Sequence, residues 1–368
     1  MRLYHSFLLL SFFLGIVFAA NAQNTERLTL SGKMHYGFIT PHHKSITYYI
    51  EDHLPGFDFT VARVVDGSKS WHHIYKLPET GFTFYHTGLS NDAVFGRSTS
   101  MSMFIRNPLR NPARKFNLYN KFDFGLAWVT NRYDLYDNHT NLSISTHLNA
   151  FLRYSFEMEY PLTNDWKVLT GLSFGHISNG NMSNPNKGLN FITASMGVHY
   201  NFEPRARLEI LENKSKEATV KVPQNKFALI FNGGVKEISH RWEGKYFCST
   251  LILDYNPLIT KRFAFGAGLD FVYDGSMKDQ TAFEIQPYKR NDEYRAAFHL
   301  TSAVLVGKTS FHVQPGVYIW NHYSLFKKVS NRIGIRHQVD DHWLINVSVR
   351  IHWAAIADFV EWGIGYSW

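Results

Sequence analysis

From Lys261 to Asp274 the chain reads KRFAFGAGLDFVYD, with its large apolar residues on every second position. In a strand, Phe263, Phe265, Ala267, Leu269, Phe271 and Tyr273 share one face, and Ala264, Gly266, Gly268, Asp270, Val272 and Asp274 share the other. Aromatics on one side and small or acidic residues on the other suit a wall with lipid outside and a crowded interior. Segments of about ten residues with this alternation, separated by turn clusters, recur along the chain, with no internal repeat or low-complexity linker. GKMHYGFIT and GFDFTVARVV are the first two, followed by Ser100–Arg106 and Asn120–Val129 around the basic loop NPLRNPARKF. In Ser143–Glu157, Ile144, Leu148, Ala150, Leu152, Tyr154 and Phe156 are expected to face outward. Ser145, His147, Asn149, Arg153, Ser155 and Glu157 are expected to face inward, which puts His147 and Asn149 in an interior polar network. Tyr294–Val306, Thr309–Trp320, Arg332–Gln338 and Trp343–Trp353 continue the pattern.

Composition supports the same class. Aromatics make up 16% of the residues, yet mean hydropathy is slightly negative. After the first residues, no run is long and apolar enough for a transmembrane helix, whereas barrel strands with aromatic girdles account for both facts. Arg2, the apolar run Phe7–Ala19 and the small residues around Ala20-Asn21-Ala22 read as a secretory signal peptide over 1–22, cleaved before Gln23. No Cys follows that site for a lipid anchor, and the lone Cys248 excludes an internal disulfide framework. The formal charge of +8 is dispersed rather than clustered. With a signal peptide, that argues against nucleic acid and suits solubility or the phosphates of an anionic leaflet equally well.

The fold expected is therefore all-β: a transmembrane antiparallel up-and-down barrel forming one domain over 23–368. At about 25 residues per strand and connection, about 14 strands are expected, within a range of 12–16. Bulky interior residues or a loop plug would be needed to fill it. The charged segment 205–224 is expected outside the membrane. At the C-terminus Val360, Trp362, Ile364, Tyr366 and Trp368 share a face, resembling the terminal recognition strand of bacterial outer-membrane barrels.

One hairpin, 165–202, carries the chemistry. His176 and Ser178 share a face with Leu172 and Phe174, so a base and a nucleophile emerge from an apolar wall. On the return strand Asn190 shares a face with Ile192, Ala194, Met196, Val198, Tyr200 and Phe202. A register centred near Ser183 sets it opposite His176. Ser178, His176 and Asn190 then serve as nucleophile, base and base-orienting group, with Asn179 and the Gly180 backbone as oxyanion donors. The spacing around Gly175–Gly180 is not that of a nucleophile elbow. A His-x-Ser pair and loop-end Asn residues are also common in turns without any chemistry. His42 and His43 lie in a loop without a second ligand pair at fixed spacing, so they read as solvated residues rather than a metal site. No metal or other cofactor is expected.

The segment His176-Ile-Ser-Asn-Gly180, with Asn184-Pro-Asn-Lys-Gly-Leu-Asn190 and the alternating strand after it, resembles the motif of the lipid A 3-O-deacylase (PagL-type) family. In size the chain resembles the larger relatives labelled acyloxyacyl hydrolases. Tyr133–Asn149 is similar to that family's Asn-rich strand start, so the resemblance spans roughly Phe122–Phe202. It implies an outer-membrane serine esterase acting on an ester-linked acyl chain of lipid A, with His176 as base, Ser178 as nucleophile and Asn179 in the oxyanion hole. Where the family has a Glu, this chain has Asn190. An Asn can hold an imidazole through its side-chain oxygen but cannot stabilise imidazolium by charge, and Asp to Asn in a serine triad has cost about 10⁴ in rate. An inactive lipid-binding or structural barrel of the same family, and a porin or transporter, are the alternative expectations.

Overall fold

Strands that alternate in this way must pair every backbone N–H and C=O with a neighbour, because lipid offers no partner; closure into a barrel is the solution available to strands. The computed structural model describes residues 27–112, 114–203, 226–241, 244–323, 328–352 and 356–368, and in it the chain closes twice. The first barrel comprises β1 (Leu28–Ile39), β2 (Gly56–Val64), β3 (Glu79–Gly88), β4 (Arg97–Pro108), β5 (Asn117–Val129), β6 (Leu148–Pro161), β7 (Trp166–Ser178) and β8 (Leu189–Asn201). Each strand pairs antiparallel with the next, and β8 returns to β1 with Met34 opposite Met196.

The second ring comprises β9 (Phe227–Lys236), β10 (Tyr246–Tyr255), β11 (Phe263–Asp274), β12 (Tyr294–Val306), β13 (Thr309–Gln314), β14 (Gly316–Asn321), β15 (Ser330–Gln338), β16 (Trp343–His352) and β17 (Ile356–Ser367). Here β17 pairs with β9, and β11–β12 pairing closes the circle. β13 and β14 are the two halves of the expected strand Thr309–Trp320, interrupted at Pro315, which has no N–H for the ladder. Both halves pair with β12, through Ser302–Val306 and Arg295–His299 respectively.

The expectation of one domain with about 14 strands is thus corrected to two closed barrels of eight crossing strands each. Closure is a long-range pairing, β1 with β8, that local alternation does not encode. The expected signal peptide and the charged segment 205–224 lie outside the described residues. A second correction concerns residues 143–147, which precede β6. Ile144 is buried in the apolar cluster rather than outward. His147 sits at the rim, stacked on Trp128 with a ring nitrogen 2.8 Å from the Val129 carbonyl, and Asn149 bonds only the turn before it.

Eight strands enclose a space just wide enough for side chains to fill, and both interiors are filled by interlocked charges. In the first barrel Arg153 lies 3.1 Å from Asp58 and 3.3 Å from Asp123, and Lys33 lies 2.6 Å from Glu157. Arg106 holds Glu79, Glu157 and Glu159 together at 2.7–3.0 Å. In the second, Arg332 and Arg350 bracket Asp270 and Glu361, while Lys236 and Arg295 face Asp274 and Asp358. Arg153, Arg295, Arg332 and Arg350 are each at most 2% exposed. A water-lined channel would leave such groups accessible, so the interior is a plug and the porin expectation loses its motive. Outside, Met34, Tyr36, Leu172, Met196, Phe231, Phe271, Leu300 and Trp362 stand exposed, as a wall against hydrocarbon requires.

At the end of the first barrel that carries the longer connections, 40–55, 89–96, 130–147 and 179–188, an apolar cluster caps the charged interior. It includes Ile39, Ile46, Leu89, Phe95, Ile144, Phe151, Ile177, Leu189 and Phe191. Longer loops mark the outer side of such barrels. The candidate site lies against this cap.

Candidate active site

β7 and β8 pair with His176 opposite Asn190 and Ile177 opposite Leu189. Alternation sends Ile177, Leu189 and Phe191 inward to the apolar cap and leaves His176, Ser178 and Asn190 on the outer face, in line with Leu172, Phe174 and Ile192. The inner packing fixes the strand ends, so the polar side chains stand on a rigid support. The His176 ring bridges the other two: its Nδ1 lies 2.5 Å from Asn190 Oδ1 and its Nε2 lies 2.8 Å from Ser178 Oγ. When Asn190 presents its oxygen, which can only accept, Nδ1 carries the proton and Nε2 has its lone pair on the serine hydroxyl. That is the tautomer a general base for Ser178 needs.

Gly188 makes this approach feasible. Its φ of +71° suits glycine, and a Cβ there would lie 2.8 Å from His176 Cε1 and 3.4 Å from Ser178 Cβ. Gly188→Ala is therefore expected to push the imidazole off Ser178 and lower kcat by about 100-fold, the penalty of an ångström-scale misplacement. Near-wild-type kcat in a purified, folded variant would contradict the packing argument.

The expected oxyanion donor Asn179 is placed differently. Following Ser178, it turns inward and is 1% exposed. Its Nδ2 donates to Ser145 Oγ at 2.9 Å and to the Ser183 carbonyl at 3.0 Å, and its backbone N–H donates to Asn186 Oδ1 at 3.0 Å. All its donors are committed to shaping the loop, so its expected role is corrected to a structural one. Among the described residues the Gly180 N–H, at φ +64°, has no hydrogen-bond acceptor, and the residue is buried against Val360 of the second barrel.

Two other parts of the chain hold the hairpin. From the second barrel, the Glu237 carboxylate accepts the Asn184 N–H at 2.7 Å and the Ser183 hydroxyl at 3.2 Å, and the Asp358 carbonyl accepts Asn181 Nδ2 at 2.8 Å. From the first, the loop after β1 is anchored by Ile46 of the short helix α1 (Lys44–Thr47), which is buried in the apolar cap. The Thr40 N–H donates to the Asn190 carbonyl at 2.8 Å, and Lys187 Nζ reaches Ser45 Oγ at 2.6 Å. His42 Nδ1 lies 3.2 Å from Asn190 Nδ2, and His42 Nε2 lies 2.7 Å from the Lys187 carbonyl. Partial burial, with the neighbouring His42 and Lys187, lowers the pKa of His43 beside it. In sequence His42 is a loop residue far from the hairpin, and closure of β1 onto β8 is what brings it there. Among the described residues no group of three or more His, Cys, Asp or Glu side chains is arranged to hold a metal ion.

Two closed barrels with charged interiors and apolar, aromatic exteriors define transmembrane β-barrels, the first bearing a Ser–His–Asn array on its outer wall. The family model described as lipid A 3-O-deacylase (PagL) matches residues 56–199, within the first barrel. The model described as acyloxyacyl hydrolase, C-terminal domain, matches residues 225–368, the second. The chain belongs to this PagL-type lipid A 3-O-deacylase and acyloxyacyl hydrolase family of outer-membrane β-barrels. No curated protein matches it. Solved structures similar to it include Neisserial surface protein A, at 10% identity and a TM-score of 0.33, covering 48% of this chain and 98% of that one. The N-terminal β-barrel domain of Pseudomonas aeruginosa OprF, at 12% identity and a TM-score of 0.28, has the same coverage.

Proposed function

We propose that the protein is an outer-membrane serine esterase that removes an ester-linked acyl chain from lipid A. The observation that carries this reading is the Ser178–His176–Asn190 array on the outer wall, with His176 between the other two in the order that nucleophilic catalysis requires. Ser178 Oγ attacks the ester carbonyl carbon while its proton passes to His176 Nε2. Collapse of the resulting oxyanion expels the alkoxide of the remaining lipid A, which takes the proton from His176 and leaves an acyl-Ser178 ester. Water then attacks that ester with His176 again as base, releasing the fatty acid and restoring the serine. Throughout, Asn190 Oδ1 holds Nδ1–H and so the ring's orientation, as Asn does in Cys-His-Asn proteases.

The apolar setting favours a lipid. Leu172, Phe174 and Ile192 flank the array on the same wall, where an acyl chain already in the leaflet can lie alongside it. Incubating the purified protein with lipid A in detergent micelles is expected to release one species of free fatty acid, with matching mass loss from lipid A. A fluorophosphonate probe is expected to label the peptide containing Ser178. Intact lipid A together with an unlabelled Ser178 would favour the inactive-barrel alternative.

A further inference from the structure

We propose that His42 is a positioning residue that sets the polarity of the hydrogen-bond chain ending at Ser178; the proposal rests on the esterase reading above and deepens it. An Asn carboxamide has an oxygen and a nitrogen of nearly equal size, so nothing in the shape of Asn190 decides which one faces the base. The choice matters. With Oδ1 toward His176, Nδ1 is protonated and Nε2 can take the serine proton. With Nδ2 toward His176, Nδ1 becomes the acceptor, Nε2 carries the hydrogen, and Ser178 loses its base. A carboxylate at this position has no such ambiguity, since both of its oxygens accept.

The chain of contacts beyond Asn190 resolves the ambiguity. The Lys187 carbonyl can only accept, so His42 Nε2, 2.7 Å away, is the nitrogen that carries the hydrogen when the ring holds one. Its Nδ1 is then an acceptor and takes a hydrogen from Asn190 Nδ2 at 3.2 Å. That leaves Asn190 Oδ1 for His176 Nδ1 at 2.5 Å, and His176 Nε2 for Ser178 Oγ at 2.8 Å. Every donor meets an acceptor in one direction only, from the serine hydroxyl to a backbone carbonyl. His42 is held there by structure rather than by chance. The Thr40 N–H on the Asn190 carbonyl, the Lys187–Ser45 contact and buried Ile46 of α1 together staple its loop to the hairpin.

The test is a double-mutant cycle on purified protein, read as kcat and KM for lipid A. His42→Ala is expected to lower kcat on the order of tenfold, the equivalent of one orienting hydrogen bond, with KM little changed. His42→Asn, whose Oδ1 can stand where Nδ1 stood, is expected to restore most of the loss. In an Asn190→Asp background, where the group is symmetric, removing His42 is expected to change kcat by no more than about twofold. An equal His42→Ala penalty in both backgrounds, or no penalty in the native one, overturns the proposal. If wild type and Ser178→Ala are equally inactive, the esterase reading fails instead. The tautomer still decides the positioning role through ¹⁵N-histidine spectra, with His176 assigned by its absence in His176→Gln. Nδ1 protonated and Nε2 unprotonated in the native protein, becoming mixed in His42→Ala, supports the role; an unchanged tautomer refutes it.

Discussion

Lipid A from cells producing the Ser178→Ala chain is expected to keep the acyl group that the wild-type chain removes, with kcat down by about 10⁴-fold or more. Alanine deletes the hydroxyl proposed to attack the carbonyl carbon, while Ile177 beneath it still packs in the apolar cap. The fold should therefore survive and only the chemistry should be lost. His176→Ala is expected to cost a similar factor, because Ser178 Oγ then has no base within 2.8 Å. Combining the two should cost little more than either alone, as expected for groups that act as one unit. Mass spectrometry of extracted lipid A reads the result directly. Wild-type deacylation by the Ser178→Ala chain, produced at equal level in the membrane, would end the serine mechanism.

The second large effect is on stability. Arg106 is 3% exposed, sits 3.5 Å over the Tyr119 ring and is within 3.0 Å of Glu79, Glu157 and Glu159. Arg106→Met keeps most of the volume but leaves buried carboxylates without their shared partner. Breaking a buried ion pair from one side costs about 3–5 kcal/mol, and here one cation serves three anions. Urea unfolding of vesicle-embedded protein, followed by tryptophan fluorescence, is expected to show a midpoint shift of that size. Adding Glu157→Gln and Glu159→Gln should recover part of it. An unchanged midpoint in Arg106→Met would mean that the interior network does not hold the barrel together.

Local features were legible in the sequence because they depend on alternation alone. β12 spans the expected Tyr294–Val306, and the aromatic face of β11 stands outside as its pattern requires. The pairing of His176 with Asn190 also follows from one hairpin and its loop length. What was not legible depends on contacts between distant segments. That β8 turns back to β1 rather than continuing round a wider circle is written in no single strand, so the expectation of one barrel gave way to two. His42 belongs to the same category, since its place beside Asn190 follows from the β1–β8 seam. Asn179 shows a different limit. Its motif position next to Ser178 suggested a donor to the substrate, but strand alternation and a loop hungry for hydrogen bonds turned its amide inward.

The serine's place on the outer wall changes how substrate reaches it. Among the described residues the barrel interior is filled by buried charged side chains, so on the esterase reading proposed above a lipid is expected to arrive sideways, within the plane of its own leaflet. The encounter is thus two-dimensional, and the relevant concentration is the mole fraction of substrate lipid around the barrel rather than moles per litre. Diluting mixed micelles with inert detergent at constant total substrate should slow turnover, whereas diluting them with buffer should not. On the same reading both products are expected to leave by that lateral route, the fatty acid passing straight into the surrounding hydrocarbon and freeing the wall for the next collision.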